Sequence, residues 1–150
     1  MKKINTYITE KLKIRKSSYK YFPKTKEELL DIIDQLIEER GNKGDFNDID
    51  TSKITNMSHL FNGMTEFNGD ISGWNVSNIT DMHSMFFECE LFNQNISNWD
   101  VSNVTDMGYM FRGCILFNQN ISNWNVSNIK FNKNMFYSCP IEEKNKPKFR

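Results

Sequence analysis

A segment of about 25 residues is repeated four times along the last two thirds of the chain. Two copies are nearly complete, at 70–89 and 92–114; a partial copy begins at Asn120, and a degenerate first copy runs over 46–67. A fixed period of this length indicates stacked units, since one unit alone cannot bury its apolar face.

Apolar residues recur at the same positions of every copy, and no single copy could bury them all. Stacking the copies would bury each set as a ladder. The aligned sets are Ile49, Trp74, Trp99 and Trp124; Ile71, Ile96 and Ile121; Val76, Val101 and Val126; Ile54, Ile79, Val104 and Ile129; Met57, Met82 and Met107; Leu60, Met85, Met110 and Met135; Phe61, Phe86, Phe111 and Phe136; Cys89, Cys114 and Cys139; and Phe67, Phe92 and Phe117.

Each copy reads as an alternation of strand and helix. Residues 96–101 combine β-branched and aromatic side chains, which favours a strand, and 102–103 reads as a turn. The apolar spacing over 107–111 suits one short helical turn that Thr105 or Asp106 would cap. We therefore expect an α/β fold in which strand, turn, short helix and loop follow in each coil.

The repeat carries the motif Met-Phe-x-x-Cys-x-x-Phe-Asn-x-x-Ile-Ser-x-Trp-[Asn/Asp]-Val-Ser-Asn-[Val/Ile]-Thr-Asp-Met over roughly residues 46–139. It resembles the repeat of the BspA-like leucine-rich-repeat surface proteins, which is also known from mycoplasma lipoprotein-associated proteins, with similar repeats in bacterial viruses. The resemblance implies a right-handed, leucine-rich-repeat-like α/β solenoid of about four coils. It also implies a binding or adhesion role and no catalytic activity.

The N-terminal third contains one clear helix signal. Thr25-Lys-Glu-Glu28 is a capping box, apolar residues follow at helical spacing, and Gly41 ends the pattern. We expect an amphipathic helix at 25–40 that covers the first coil. The predicted organisation is a basic N-terminal arm at 1–24, a capping helix segment at 25–43, a four-coil repeat solenoid at 44–140 and a charged C-terminal tail at 141–150.

Charge is distributed unevenly, although the net charge is zero. Residues 1–26 hold nine basic residues and one acidic residue, a local balance of +8, while residues 27–150 carry −8. The arm interleaves basic and aromatic side chains, as nucleic-acid-binding segments do. A protein partner, on which the arm orders, is the other interpretation. The candidate contact residues in the arm are Lys13, Arg15, Lys16, Tyr19 and Tyr21.

The residue types that carry catalysis or hold metals lack the usual spacings. Cys89, Cys114 and Cys139 recur once per copy, without the short Cys-x-x-Cys pair typical of structural zinc sites, and we expect them to be buried apolar residues. There is no glycine-rich phosphate loop and no Gly-x-Ser-x-Gly motif. The sequence predicts no enzyme, no cofactor and no metal site.

In repeat proteins the fixed positions build the frame, and variable positions on one face make the binding site. Phe87, Tyr109, Arg112 and Tyr137 occupy variable positions and are of the types enriched at interfaces. We therefore expect a non-enzymatic protein-interaction or structural module, such as a component of a surface or virion assembly. A nucleic-acid-associated protein that binds through the basic arm is the alternative, and a homo-oligomer stays open.

Localisation signals are missing from the sequence. No apolar run is long enough to span a membrane, and the N-terminus lacks the apolar core of a signal peptide. A cytoplasmic or virion-associated location is therefore expected rather than secretion.

Overall fold

The computed structural model describes residues 18–150. That part contains one α-helix, α1 (Lys26–Arg40), and a single 3₁₀ turn at Glu143–Asn145. The remaining backbone consists of turns and isolated parallel bridges, which include those that join Asp81 to its equivalents one repeat before and after. The repeats are therefore stacked, and we call 46–70, 71–95, 96–120 and 121–145 layers 1 to 4.

The predicted α/β solenoid of right-handed, leucine-rich-repeat-like strand–helix coils is wrong. Residues 44–140 contain neither a strand nor a helix. The predicted strand at 96–101 is broken by a turn in which the Trp99 N–H donates to the Ile96 carbonyl at 3.2 Å. Asn95 Oδ1 holds this turn by accepting hydrogen bonds from the backbone N and the Oγ of Ser97, at 3.0 and 2.7 Å. Such side-chain bonds compete with strand pairing and here override β propensity.

The predicted helical turn at 107–111 is also wrong. Met110 N–H donates to the Met107 carbonyl, and Tyr109 between them has φ +58, as the third residue of a type II turn requires. Asp106 does not cap a helix; its Oδ1 accepts a hydrogen bond from Gly108 N at 2.8 Å. Apolar residues at 107, 110 and 111 fit a helical turn and a type II turn equally well, so the apolar periodicity alone could not distinguish the two structures.

Alternate backbone amides bond in two directions within each layer. Over 107–113, the odd-numbered N–H groups donate to carbonyls of layer 4 at 2.8–2.9 Å, and the even-numbered ones close turns within layer 3. The same alternation holds at 57–63, and at 82–88 it is the even-numbered N–H groups that donate to the next layer. Outside these positions some N–H groups, such as those of Thr80 and Thr105, donate to the preceding layer. At the positions described, each amide of layers 2 and 3 accepts from the layer before and donates to the layer after. The amides thus form continuous columns through the stack, with dipoles aligned as in an α-helix.

The predicted core ladders are confirmed for layers 1 to 3, where every member is at least 95% buried. Equivalent phenylalanine rings stack nearly parallel: the centroids of Phe61 and Phe86 are 5.4 Å apart, and those of Phe86 and Phe111 are 5.5 Å apart. The exceptions are Ile129, Phe136 and Cys139 of layer 4, which are half-buried. Layer 4 lies at the end of the described stack, so these side chains have a neighbouring layer on one side.

Polar side chains also bind from one layer to the next. Trp99 Nε1 donates to the Ile71 carbonyl at 3.3 Å, and Asn103 Nδ2 donates to the Ser77 carbonyl at 2.7 Å. No buried side-chain nitrogen or oxygen within residues 18–150 lacks a hydrogen-bond partner. Since burying an unpaired polar group is costly, these bonds explain why Trp and Asn recur at fixed positions.

The predicted helix at 25–40 is confirmed. Thr25 is its N-cap and accepts a hydrogen bond from Glu28 N at 3.2 Å, and Gly41 ends it with φ +75. The apolar face of α1 is fully buried against the stack and consists of Leu29, Ile33 and Leu36. The predicted domain boundaries at 24, 43 and 140 stay predictions. Within residues 18–150, no helix has the length and hydrophobicity needed to span a membrane.

Two polar contacts fix α1 to layer 1. Arg40 forms a bidentate pair with Asp48, with N–O distances of 2.8 and 2.9 Å. The Arg40 guanidinium holds the pKa of the Asp48 carboxyl below its usual range. At the other end of α1, Lys26 Nζ donates to the Ser58 carbonyl at 3.2 Å. Both ends of α1 are therefore held on the stack.

Replacing one ring of the phenylalanine ladder should destabilise the whole stack. We expect Phe86→Ala to lower the free energy of unfolding by about 3–5 kcal/mol, because it removes a fully buried ring between two others. The matched control is Phe131→Ala, which truncates a ring that is 64% exposed and should change the free energy by less than about 0.5 kcal/mol. Urea unfolding followed by tryptophan fluorescence measures both; equal losses would contradict the ladder.

Candidate functional site

Three of the predicted contact residues occupy one position in successive layers. Phe87, Arg112 and Tyr137 lie 25 residues apart, each in the turn that precedes the Cys position. The Arg112 guanidinium carbon is 5.6 Å from the Phe87 ring centroid and 4.9 Å from the Tyr137 centroid. The cation thus lies between two aromatic rings from neighbouring layers.

The fourth predicted residue joins the same cluster. The Tyr109 ring centroid is 5.8 Å from the Arg112 guanidinium carbon, and its ring also meets His83 edge-on at 5.6 Å between centroids. Tyr109 has φ +58 at the type II turn, and its side chain is half-buried. The structure therefore brings Phe87, Tyr109, Arg112 and Tyr137 together, and we call these four residues the aromatic–arginine cluster.

The Arg112 guanidinium is positioned but unpaired. Within residues 18–150, no carboxylate lies within ion-pair distance of it, and its side chain donates no hydrogen bond. Tyr137 is 59% exposed, so the cluster is open to solvent. Guanidinium–ring contacts contribute about 0.5–1 kcal/mol at exposed sites, enough to restrict the side chain while leaving its donors free.

Among the residues predicted in the basic arm, Tyr21 lies apart from this cluster. Lys13, Arg15 and Lys16 lie outside the described residues. Tyr21 pairs with the start of layer 1: its carbonyl accepts from the Asp50 N–H at 2.9 Å, and the Arg40 guanidinium lies 5.9 Å from its ring centroid. The arm thus joins the stack at residue 21, and a nucleic-acid-binding role for it stays a prediction.

Exposed apolar residues follow the Cys position, where the sequence indicates variable residues without singling these out as a contact surface. Leu91, Ile115 and Leu116 are 36%, 52% and 50% exposed. They occupy the variable pair after the Cys position, where layer 1 has Thr65 and Glu66. The signal was present in the sequence, since apolar residues at a position that the core does not use indicate a surface patch.

The three cysteines are free, and the two inner ones are fully buried. Cys89 Sγ donates to the Phe61 carbonyl at 2.8 Å, and Cys114 Sγ donates to the Phe86 carbonyl at 2.9 Å. Burial raises the pKa of Cys89 to about 12 and also raises the pKa of Cys114. Over residues 18–150, no group of three or more His, Cys, Asp or Glu side chains could hold a metal ion.

Thiol labelling should distinguish the layers. Because the thiolate is the reactive form, the raised pKa values and burial should keep Cys89 and Cys114 unlabelled in the native protein at pH 8. Cys139, which is half-buried in layer 4, should react first. Maleimide labelling followed by peptide mass spectrometry tests this order, with a denatured sample as the control. Labelling of Cys114 before Cys139 would contradict the layered burial.

The chain matches one family profile across most of its length. The profile covers residues 32–149 and carries the description "Mycoplasma protein of unknown function, DUF285". Neither a curated protein nor a solved structure matches the chain. The match includes most of α1, all four layers and the aromatic–arginine cluster. The chain therefore belongs to the DUF285 family of mycoplasma proteins of unknown function.

Proposed function

We propose that the protein is a non-enzymatic protein-interaction module whose contact surface is the aromatic–arginine cluster. The observation that carries the proposal is Arg112, which lies between Phe87 and Tyr137 with no acidic partner among the described residues. Arg and Tyr are the residue types enriched at interface hot spots, where a few side chains supply most of the binding energy.

Preorganisation supports this assignment. Ordering a long side chain on binding costs about 0.5–1.5 kcal/mol, and the rings around Arg112 reduce that cost before a partner arrives. The stacked backbone adds to this, because the four side chains project from turns fixed by interlayer hydrogen bonds such as Gly113 N to the Tyr137 carbonyl at 2.9 Å. A rigid frame that presents a positioned cation and aromatic rings fits a protein surface with a carboxylate beside apolar groups.

The setting of this interaction is a further part of the proposal. The repeat motif resembles that of the BspA-like surface proteins, and the chain's own family is of mycoplasma type. Together these support a role as a component of a surface or virion assembly. In such an assembly the stack would act as a scaffold, and the exposed strip at Leu91, Ile115 and Leu116 would widen the contact surface around the cluster.

Substitutions in one position of the repeat test the proposal. The tagged full chain is used to capture proteins from a lysate of the organism that produces it. Each captured protein is purified, and its affinity for the chain is measured by calorimetry. We expect Arg112→Ala and Tyr137→Ala each to weaken binding by about 2 kcal/mol, the usual size of a hot-spot loss. Arg112→Lys should bind more weakly than the wild type but more tightly than Arg112→Ala, since Lys keeps the charge but not the planar guanidinium.

The chain provides a matched control for these variants. Asn62 occupies the same repeat position in layer 1 and is exposed, so Asn62→Ala should leave the affinity unchanged. Thermal unfolding of each variant shows whether the fold is intact. Equal affinity of Arg112→Ala and Asn62→Ala, with both folded, would refute the cluster as the contact surface.

A further inference from the structure

The edge of layer 4 presents a row of backbone donors. In layers 1 to 3, the N–H groups of the amide columns all donate to the next layer: those of residues 57, 59, 61 and 63 and of their equivalents 25 and 50 residues later. Their equivalents in layer 4 have no hydrogen-bond partner in the described part of the chain; they belong to Asn132, Asn134, Phe136 and Ser138. Four columns of aligned amides end at this row, so it carries the partial positive charge that the N-terminus of a helix carries.

Side chains around this edge add positive charge. Lys130 and Lys133 are exposed and form no ion pair within residues 18–150. Residues 126–150 hold six basic and two acidic residues, a local balance of +4. The C-terminal tail covers the apolar end of the core with Ile141 and Phe149, while residues 131–134 stay exposed. The edge is therefore a basic surface with unused donors.

The opposite end of the stack has the complementary charge. Residues 27–50 hold nine acidic and two basic residues, a local balance of −7. The face of α1 that points away from the core carries exposed carboxylates at spacings of four, three and four residues, which places them in one line; they belong to Glu27, Asp31, Asp34 and Glu38. None of them forms an ion pair among the described residues.

The two surfaces also match in spacing. Successive carboxylates on the line are four or three residues apart, which is roughly 4.5–6 Å along the helix axis. Alternate N–H groups of an extended segment lie about 7 Å apart, and those at 132–138 lie closer together because successive turns fold this segment. A row of four carboxylates can therefore face a row of four N–H groups, with Lys130 and Lys133 beside them. Hydrogen bonds between N–H groups and carboxylates are among the stronger ones in proteins.

We propose that the acidic outer face of α1 in one copy binds the open layer 4 edge of a second copy, head to tail. Such a contact joins two different surfaces, so each added copy leaves one acidic end and one basic end free. Self-association is then open-ended and grows with protein concentration. The contact uses backbone donors and lysines rather than the side chains of the aromatic–arginine cluster, although Tyr137 lies between two of the donor residues.

Sedimentation velocity of the full chain, over a range of concentration and salt, tests the proposal. We expect association at low ionic strength that disappears at about 1 M salt, where the screening length falls to about 3 Å. Asp31→Lys/Asp34→Lys should weaken association by about tenfold or more, and so should Lys130→Glu/Lys133→Glu, because each places like charges across the contact. Mixing the two variants should restore association, since each then meets an opposite charge.

A matched control separates this contact from a general effect of net charge. Glu88→Lys/Glu90→Lys makes the same change in net charge as Asp31→Lys/Asp34→Lys, at two exposed positions of layer 2, and should associate like the wild type. Arg112→Ala should also associate normally, which distinguishes this proposal from the proposed function. A strict monomer at low salt, failure of the mixed variants to associate, or loss of association only on removal of residues 1–17 would overturn the head-to-tail contact.

Discussion

The structure depends on hydrogen bonds between equivalent backbone amides one repeat apart. In four columns of amides, each inner member accepts from the previous layer and donates to the next. In one of them, Phe61 N donates to the Met85 carbonyl and Phe86 N donates to the Met110 carbonyl, both at 2.9 Å. This places equivalent side chains directly above one another, which produces the phenylalanine ladder and the bonds of Trp and Asn to the preceding layer. A sequence that repeats every 25 residues satisfies this geometry because every layer presents the same groups to the next.

The sequence predicted which residues are buried but not the backbone that buries them. The ladders followed from periodicity alone, as did α1 with Thr25 as its cap. The strands and short helices were wrong because β propensity and apolar spacing do not reveal how each N–H is used. Asn95 and Asp106 were the signals of the true structure, because each forms an Asx turn with the backbone N–H two residues later. Asx turns at regular intervals leave no run of residues long enough for a strand or a helix.

The repeat period also made part of the candidate site predictable from the sequence. Phe87, Arg112 and Tyr137 share one repeat position, so stacking was bound to bring them together once the period was known. The layer 4 edge could not be predicted, because its donors are backbone groups that no side chain marks. Its polarity comes from the four amide columns, in which every N–H group points towards layer 4, with Lys26 on the Ser58 carbonyl at the other end of the stack. The repeat thus produces a stack whose two ends differ: layer 4 presents N–H groups with no partner in the described part of the chain, and layer 1 presents carbonyl groups.

Hydrogen exchange of individual amides by NMR, on dilute protein in high salt, tests the interlayer columns most directly. The columns predict slow exchange for the inner amides of layers 2 and 3, including Met82, Phe86 and Phe111, with protection near that of global unfolding. The equivalent layer 4 amides of Asn132, Asn134 and Phe136 should exchange orders of magnitude faster, although they belong to the same repeat positions. Equal protection of the two sets, or fast exchange throughout layers 2 and 3, would contradict the account.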